Sequence, residues 1–196
     1  MRSSNTQDSY VIFKIRTNGC LSVCCSQKVK ALSPTEENQQ ELIMKGSCAC
    51  QGIQYELVGE ILFMNHCHCS ICRKIHGAAF GTFGHAKAEE FRWLKGEELI
   101  ASYVSSEHNV PGFEKNVRNF CRVCGSNVPS VFPAIDYVRI PMGTVDDDPG
   151  MRPSVHLFVA SKAPWSEICD QLPQHAEMPE TFMNQAKQAL EENLNL

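Results

Sequence analysis

Three groups of cysteines carry the chemistry that this sequence can offer: Cys48-x-Cys50, Cys67-x-Cys69-x-x-Cys72 and Cys121-x-x-Cys124. Thiols one to three residues apart make poor disulfides but good corners of a metal tetrahedron. Soft thiolates point to zinc ahead of an iron–sulfur cluster. These ligands divide as four plus three. Cys48, Cys50, Cys121 and Cys124 form two pairs about seventy residues apart. Joining them closes a long loop, as zinc ribbons do, and makes a closed structural site. Cys67, Cys69 and Cys72 leave a fourth position for water, a substrate thiol or a nearby side chain. Three thiolates make the ion net negative, which weakens it as a hydroxide generator and suits it to holding a thiol as thiolate, the nucleophilic form.

Two rival readings of the middle group stand beside this one. His66, His68 or His76 would supply a fourth ligand and close the site, or the cysteines would serve redox exchange. His85, His108, His156 and His175 have no partner at ligand spacing, and no role is assigned to them. Arg73 and Lys74 follow the last cysteine directly. They would offset the anionic cluster or pair with a substrate carboxylate, unless they are exposed charges on a turn.

The elements that must position these groups read as short strands. In "GIQYELVG", Ile53, Tyr55 and Leu57 alternate onto one face. "AAFGTFGHA", "FRWLKG", "LIASYVSS", "FEKNVRNF", "YVRIPMGTV" and "SVHLFVA" follow, punctuated by Gly, Pro and Asp. The pattern predicts an all-β sandwich or related sheet packing. Only residues 179–193 look helical, with Phe182, Met183, Ala186 and Leu190 at helical spacing. Residues 1–43 are polar apart from Tyr10 to Ile15 and read as an extension that is flexible or not natively translated. Its Cys20, Cys24 and Cys25 read as unliganded thiols.

The chain has 196 residues, 43% of them hydrophobic, enough for one domain with a real core. A net charge of −4 argues against a nucleic-acid partner, because phosphate binding needs a basic face. No apolar run is long enough for a membrane span, and the N-terminus lacks the apolar core of a secretory signal. Eleven clustered cysteines fit metal-held thiolates in a reducing, cytoplasmic compartment.

The segments "GSCACQGIQYEL", "CHCSICRKIHGAAFGTFG", "FRWLKG", "YVSS" and "RNFCRVCGSNV" together resemble the glutathione-dependent formaldehyde-activating enzyme family, which includes centromere protein V. The likeness runs from about Gly46 to Pro173. It implies a mainly β, β-tent type fold of packed antiparallel sheets with two zinc ions per chain. Cys48, Cys50, Cys121 and Cys124 would hold the structural ion and Cys67, Cys69 and Cys72 the catalytic one. It also implies a carbon–sulfur lyase that condenses glutathione with formaldehyde to S-hydroxymethylglutathione. The zinc domain would span residues 44–173, followed by a helical extension over 174–196. One departure is Gln51, standing where many relatives place glycine directly after the cysteine. The alternative function is a non-catalytic, zinc-stabilised protein-interaction module. The thiol, the electrophile, the general base and the oligomeric state are not legible in the sequence.

Overall fold

The computed structural model describes residues 43–105, 116–133 and 136–180. The extension expected over residues 1–43 lies outside them except for Ile43. The same holds for the C-terminal helix beyond Glu180, and for His108.

Among the described residues, eleven strands and one α-helix follow in chain order. They are β1 (Ile43–Ser47), β2 (Gln54–Val58), β3 (Phe63–Cys67), α1 (Ser70–His76), β4 (Gly81–Ala86), β5 (Phe91–Lys95), β6 (Ile100–Ser105), β7 (Asn116–Cys121), β8 (Asn127–Val128), β9 (Ser130–Phe132), β10 (Tyr137–Pro141) and β11 (His156–Leu157). They build three sheets, ordered β1-β2-β5, β11-β3-β4-β10-β9 and β6-β7-β8. The mainly β class expected from the strand signals is the class found.

The alternation read in "GIQYELVG" is the packing face of the first sheet. Ile53, Tyr55 and Leu57 are all fully buried, each removing a large apolar area from water at about 25 cal/mol per Å². Tyr55, Leu57, Met44 and Phe91 from the first sheet meet Met64, Ala86, Val138 and Ile140 from the second in one core. Gly46 is required where these layers close. A Cβ there would lie 2.2 Å from the Tyr55 ring and 2.6 Å from the Thr144 carbonyl. The Tyr55 hydroxyl uses that closeness to reach Thr144 Oγ1 at 2.8 Å.

Two elements differ from expectation. The second sheet is mixed, because β11 runs parallel to β3, with His156 opposite His66 and Leu157 opposite Cys67. Only two residues of "SVHLFVA" form the ladder, because Phe158 takes the left-handed conformation (φ 59°) and turns the chain into a 3-10 turn, Val159–Ser161. The other difference is α1, which occupies the middle cysteine motif where a tight turn was expected. Cys69 caps its N-terminus, its sulfur accepting from the Cys72 amide. Gly77, at φ 57°, closes its C-terminus, and Arg73, Lys74 and His76 lie in its last turn, where cations suit the helix dipole. Seven residues with a cysteine cap and no acidic first turn fall below the usual signals for a helix start.

Candidate functional site

The first cysteine group is assembled from two hairpin ends. The turn after β1 places Cys48 so that its sulfur accepts from the Ile53 amide at 3.3 Å, while its carbonyl receives the Gln51 amide at 2.7 Å. The turn after β7 folds back in the same way. The Gly125 amide reaches the Cys121 carbonyl and the Cys121 amide the Ser126 carbonyl, both at 2.8 Å. Ser126 Oγ, accepting from the Ala49 amide at 3.0 Å, ties one turn to the other. The four sulfurs of Cys48, Cys50, Cys121 and Cys124 lie within 4.8 Å of one another. Cys48 to Cys50 is 3.5 Å and Cys50 to Cys121 is 3.8 Å. Four sulfurs at ~2.3 Å from a tetrahedral zinc are separated by about 3.8 Å, so this donor set fits that ion. The group joins the first sheet to the third and packs with the buried Ile53 and Val128.

Gln51 stands in this turn at φ 58°. Side chains in that region clash with their own backbone at a cost of about 1–2 kcal/mol, which glycine avoids. Its side chain is exposed. Gln51→Gly is expected to raise stability by about 1 kcal/mol, read as a shift in the denaturation midpoint at unchanged slope.

The second group comes from the end of β3 and the start of α1. Cys67, Cys69 and Cys72 are all buried, and their sulfurs lie within 4.8 Å of one another. Among the described residues, no histidine nitrogen or carboxylate oxygen completes this set. The three candidate fourth ligands are engaged elsewhere or set apart. His66 Nδ1 bonds Thr82 Oγ1 at 2.9 Å, His68 Nε2 bonds His156 Nδ1 at 2.8 Å, and His76 packs edge-on against Phe83. Burial pushes both His66 and His68 down to about 4, so both rings are neutral at neutral pH.

The sulfurs do not ionise alike. Hydrogen bonds from Cys67 and Cys72 hold the Cys69 thiol down to about 2. The bonds that Cys67 makes to Cys69 and Cys72, together with burial, push it well above the usual thiol range. A bond from Cys67 lowers Cys72, but the bond to Cys69 and burial outweigh it and leave Cys72 raised. Burial and the shared hydrogen bonds thus favour the thiolate at Cys69 and oppose it at Cys67 and Cys72, so full ionisation needs positive charge.

Part of that charge comes from the fold itself. Arg118 of β7 is buried and points Nη2 at Cys72 Sγ, 3.6 Å away. Arg139 of β10 donates to the Val117 carbonyl at 2.6 Å, and both guanidinium groups lie over the Phe83 ring, at 5.8 and 5.4 Å. Burial, with Arg118 beside it, brings Arg139 down to about 10. These two arginines were not legible in the sequence. They come from strands far along the chain and share no spacing with the cysteines. The two basic residues named from the sequence sit on α1, where Lys74 is exposed and Arg73 is half-buried with its Nε lacking a hydrogen-bond partner among the described residues.

Two histidines given no role are structural anchors. His85 is buried between Asn65 Oδ1, at 2.6 Å, and the Tyr137 hydroxyl. His156 is buried between His68 and Asp170. A histidine inside the apolar run "SVHLFV" was the one available signal.

The family of glutathione-dependent formaldehyde-activating enzymes matches residues 43–161, more than half of the chain. The chain belongs to this family. A curated relative from Halomonas elongata, named "Putative glutathione-dependent formaldehyde-activating enzyme", is 27% identical over 132 residues, covering 65% of this chain and 82% of that protein. A Rhodobacter sphaeroides protein of known crystal structure aligns at 22% identity with a TM-score of 0.41, covering 56% of this chain and 92% of that one. Both cysteine groups of this family member fall within the matched residues. Among the described residues, no helix is long and apolar enough to cross a membrane.

Proposed function

We propose that this protein is a two-zinc carbon–sulfur lyase that joins a small thiol to an aldehyde, with glutathione and formaldehyde as the reactants. Cys48, Cys50, Cys121 and Cys124 hold the structural ion, and Cys67, Cys69 and Cys72 hold the second. The observation that carries the reading is the buried three-sulfur set without a fourth side-chain ligand among the described residues. Family membership and the name of the Halomonas relative support the choice of reactants. A zinc ion held by the three cysteines would supply a Lewis acid that binds a substrate thiol in its thiolate form.

The chain's own residues do the rest. Arg118 offsets anionic charge at Cys72, and Phe83 packs beside the cysteines as an apolar wall. Arg73 and Lys74, one turn along α1, are the proposed partners for substrate carboxylates. In the overall reaction the thiol sulfur forms a bond to the aldehyde carbon, the carbonyl π pair moves to oxygen, and the thiol's proton balances the one oxygen takes up. The use of the seven thiols of these two sets as metal ligands fits a reducing compartment, and the cytoplasm is part of the proposal.

Exchange NMR tests the activity. The zinc-loaded protein is expected to speed exchange between glutathione, formaldehyde and their adduct well beyond the buffer rate. An exchange rate equal to buffer, in protein shown to hold both metals, would contradict it.

A further inference from the structure

From His68, inside the three-cysteine motif, a line of hydrogen bonds runs to the surface. Asp170 carries the outer end, with its side chain about half exposed, and its carboxylate meets His156 Nε2 at 3.0 and 3.1 Å. His156, 2% exposed, meets His68 Nε2 through Nδ1 at 2.8 Å. His68, fully buried, lies in the sequence between two of the cluster's cysteines. The carboxylate is held in place by the Leu172 amide, which donates to Oδ1 at 2.9 Å.

The residue that anchors this line lies past the family match, which ends at residue 161. The following segment returns along β11. His156 donates its amide to the Pro173 carbonyl at 2.8 Å, and the amides of His175 and Val159 reach the His156 and His175 carbonyls at 2.9 Å each. The segment is therefore docked by backbone bonds on the strand that carries His156, and Asp170 comes with it.

The chemistry of the line fixes ring orientations. A carboxylate only accepts, so Nε2 of His156 carries a hydrogen. In the neutral pair Nδ1 of His156 then accepts from Nε2–H of His68, and His68 is left with its lone pair on Nδ1. That nitrogen is buried and has no hydrogen-bond partner among the described residues. A histidine kept only for packing has no reason to be held with one nitrogen unsatisfied. At many metal sites a carboxylate orients a histidine that is itself a ligand; here the oriented ring belongs to the residue between two cysteines of the set.

We propose that Asp170 and His156 are positioning residues for the three-cysteine site, locking the His68 ring and with it the Cys67–Cys69 turn, so that the segment after residue 161 is a working part of that site. The proposal rests on the reading of Cys67, Cys69 and Cys72 as metal ligands, and its test separates the two. The probes are the ring-nitrogen NMR spectrum of the full chain and the rate at which a chelator strips cobalt from each cysteine group.

The wild type is expected to show His156 with hydrogen on Nε2 and His68 with hydrogen on Nε2. Asp170→Ala should scramble both tautomers and speed cobalt loss from the three-cysteine group roughly 10-fold, leaving the four-cysteine group unchanged. Asp170→Glu, which keeps a carboxylate, should restore both readouts toward wild type. Unchanged tautomers in Asp170→Ala overturn the proposal, and so does unchanged cobalt loss in a variant that binds both ions. Wild-type protein that takes cobalt only at the four-cysteine group overturns the metal-site reading instead, and the tautomer spectrum, which needs no metal, then decides the histidine lock by itself.

Discussion

Cys121→Ser is expected to leave the protein unfolded or aggregated, whereas Cys69→Ser keeps the fold and loses only the second metal. Cys121 is fully buried at the end of β7, and its group ties the β1–β2 hairpin to the third sheet. Binding of a structural zinc is linked to folding by about 10 kcal/mol in small zinc modules. That is comparable with the whole stability of a domain, about 5–15 kcal/mol. Cys69, by contrast, caps a seven-residue helix, and the β3–β4 pairing beneath it runs from Phe63 to Cys67 without using its side chain. Serine is itself a favoured N-cap, so this substitution keeps the helix cap. Thermal melts of the two zinc-loaded variants, with zinc counted per chain, check this. Equal melting of the two would show that the division into a structural and an open site is wrong.

Metal uptake at the three-cysteine site is expected to be steeply dependent on pH. Cys69 is already a thiolate at neutral pH, held down to about 2 by hydrogen bonds from its two neighbours. Cys67 and Cys72 are both raised and enter as thiols. Ligation needs three thiolates, so uptake releases two protons. Protons and metal compete, so affinity falls as pH falls. The slope is about two decades per pH unit, or about 2.7 kcal/mol, below the raised thiol values. Competition with a chelator at several pH values, using protein whose four-cysteine site is already filled, measures the slope. A slope near zero would show that the thiols are already ionised and that the fold, not the metal, supplies the compensating charge.

Much of the fold was open to reading because the packing face of β2 alternates without interruption, and Gly and Pro mark several strand ends. The cysteine groups were readable for a related reason. Their spacing is local, and a pair in a tight turn needs no knowledge of the rest of the chain to be placed. What could not be read depends on distant strands meeting. Arg118 stands at the cluster because β7 brings its guanidinium to Cys72, and nothing near position 118 announces it. Asp170 reaches His156 only because the chain after β11 doubles back. The α1 helix was hidden by its brevity and by its cap, since cysteine is not among the residues that mark helix starts. The parallel placement of β11 is a non-local event that alternation cannot reveal.

The central claim is that the three-cysteine site keeps a position for a substrate thiol. Cobalt in place of zinc tests this most directly, because sulfur ligation of cobalt gives an intense charge-transfer band. With cobalt at the three-cysteine site and zinc at the other, adding glutathione is expected to intensify that band and release a proton near neutral pH. Cys67→Ala should abolish the change. A band that no added thiol alters, in protein shown to carry cobalt at Cys67, Cys69 and Cys72, would mean a closed site and would contradict the account.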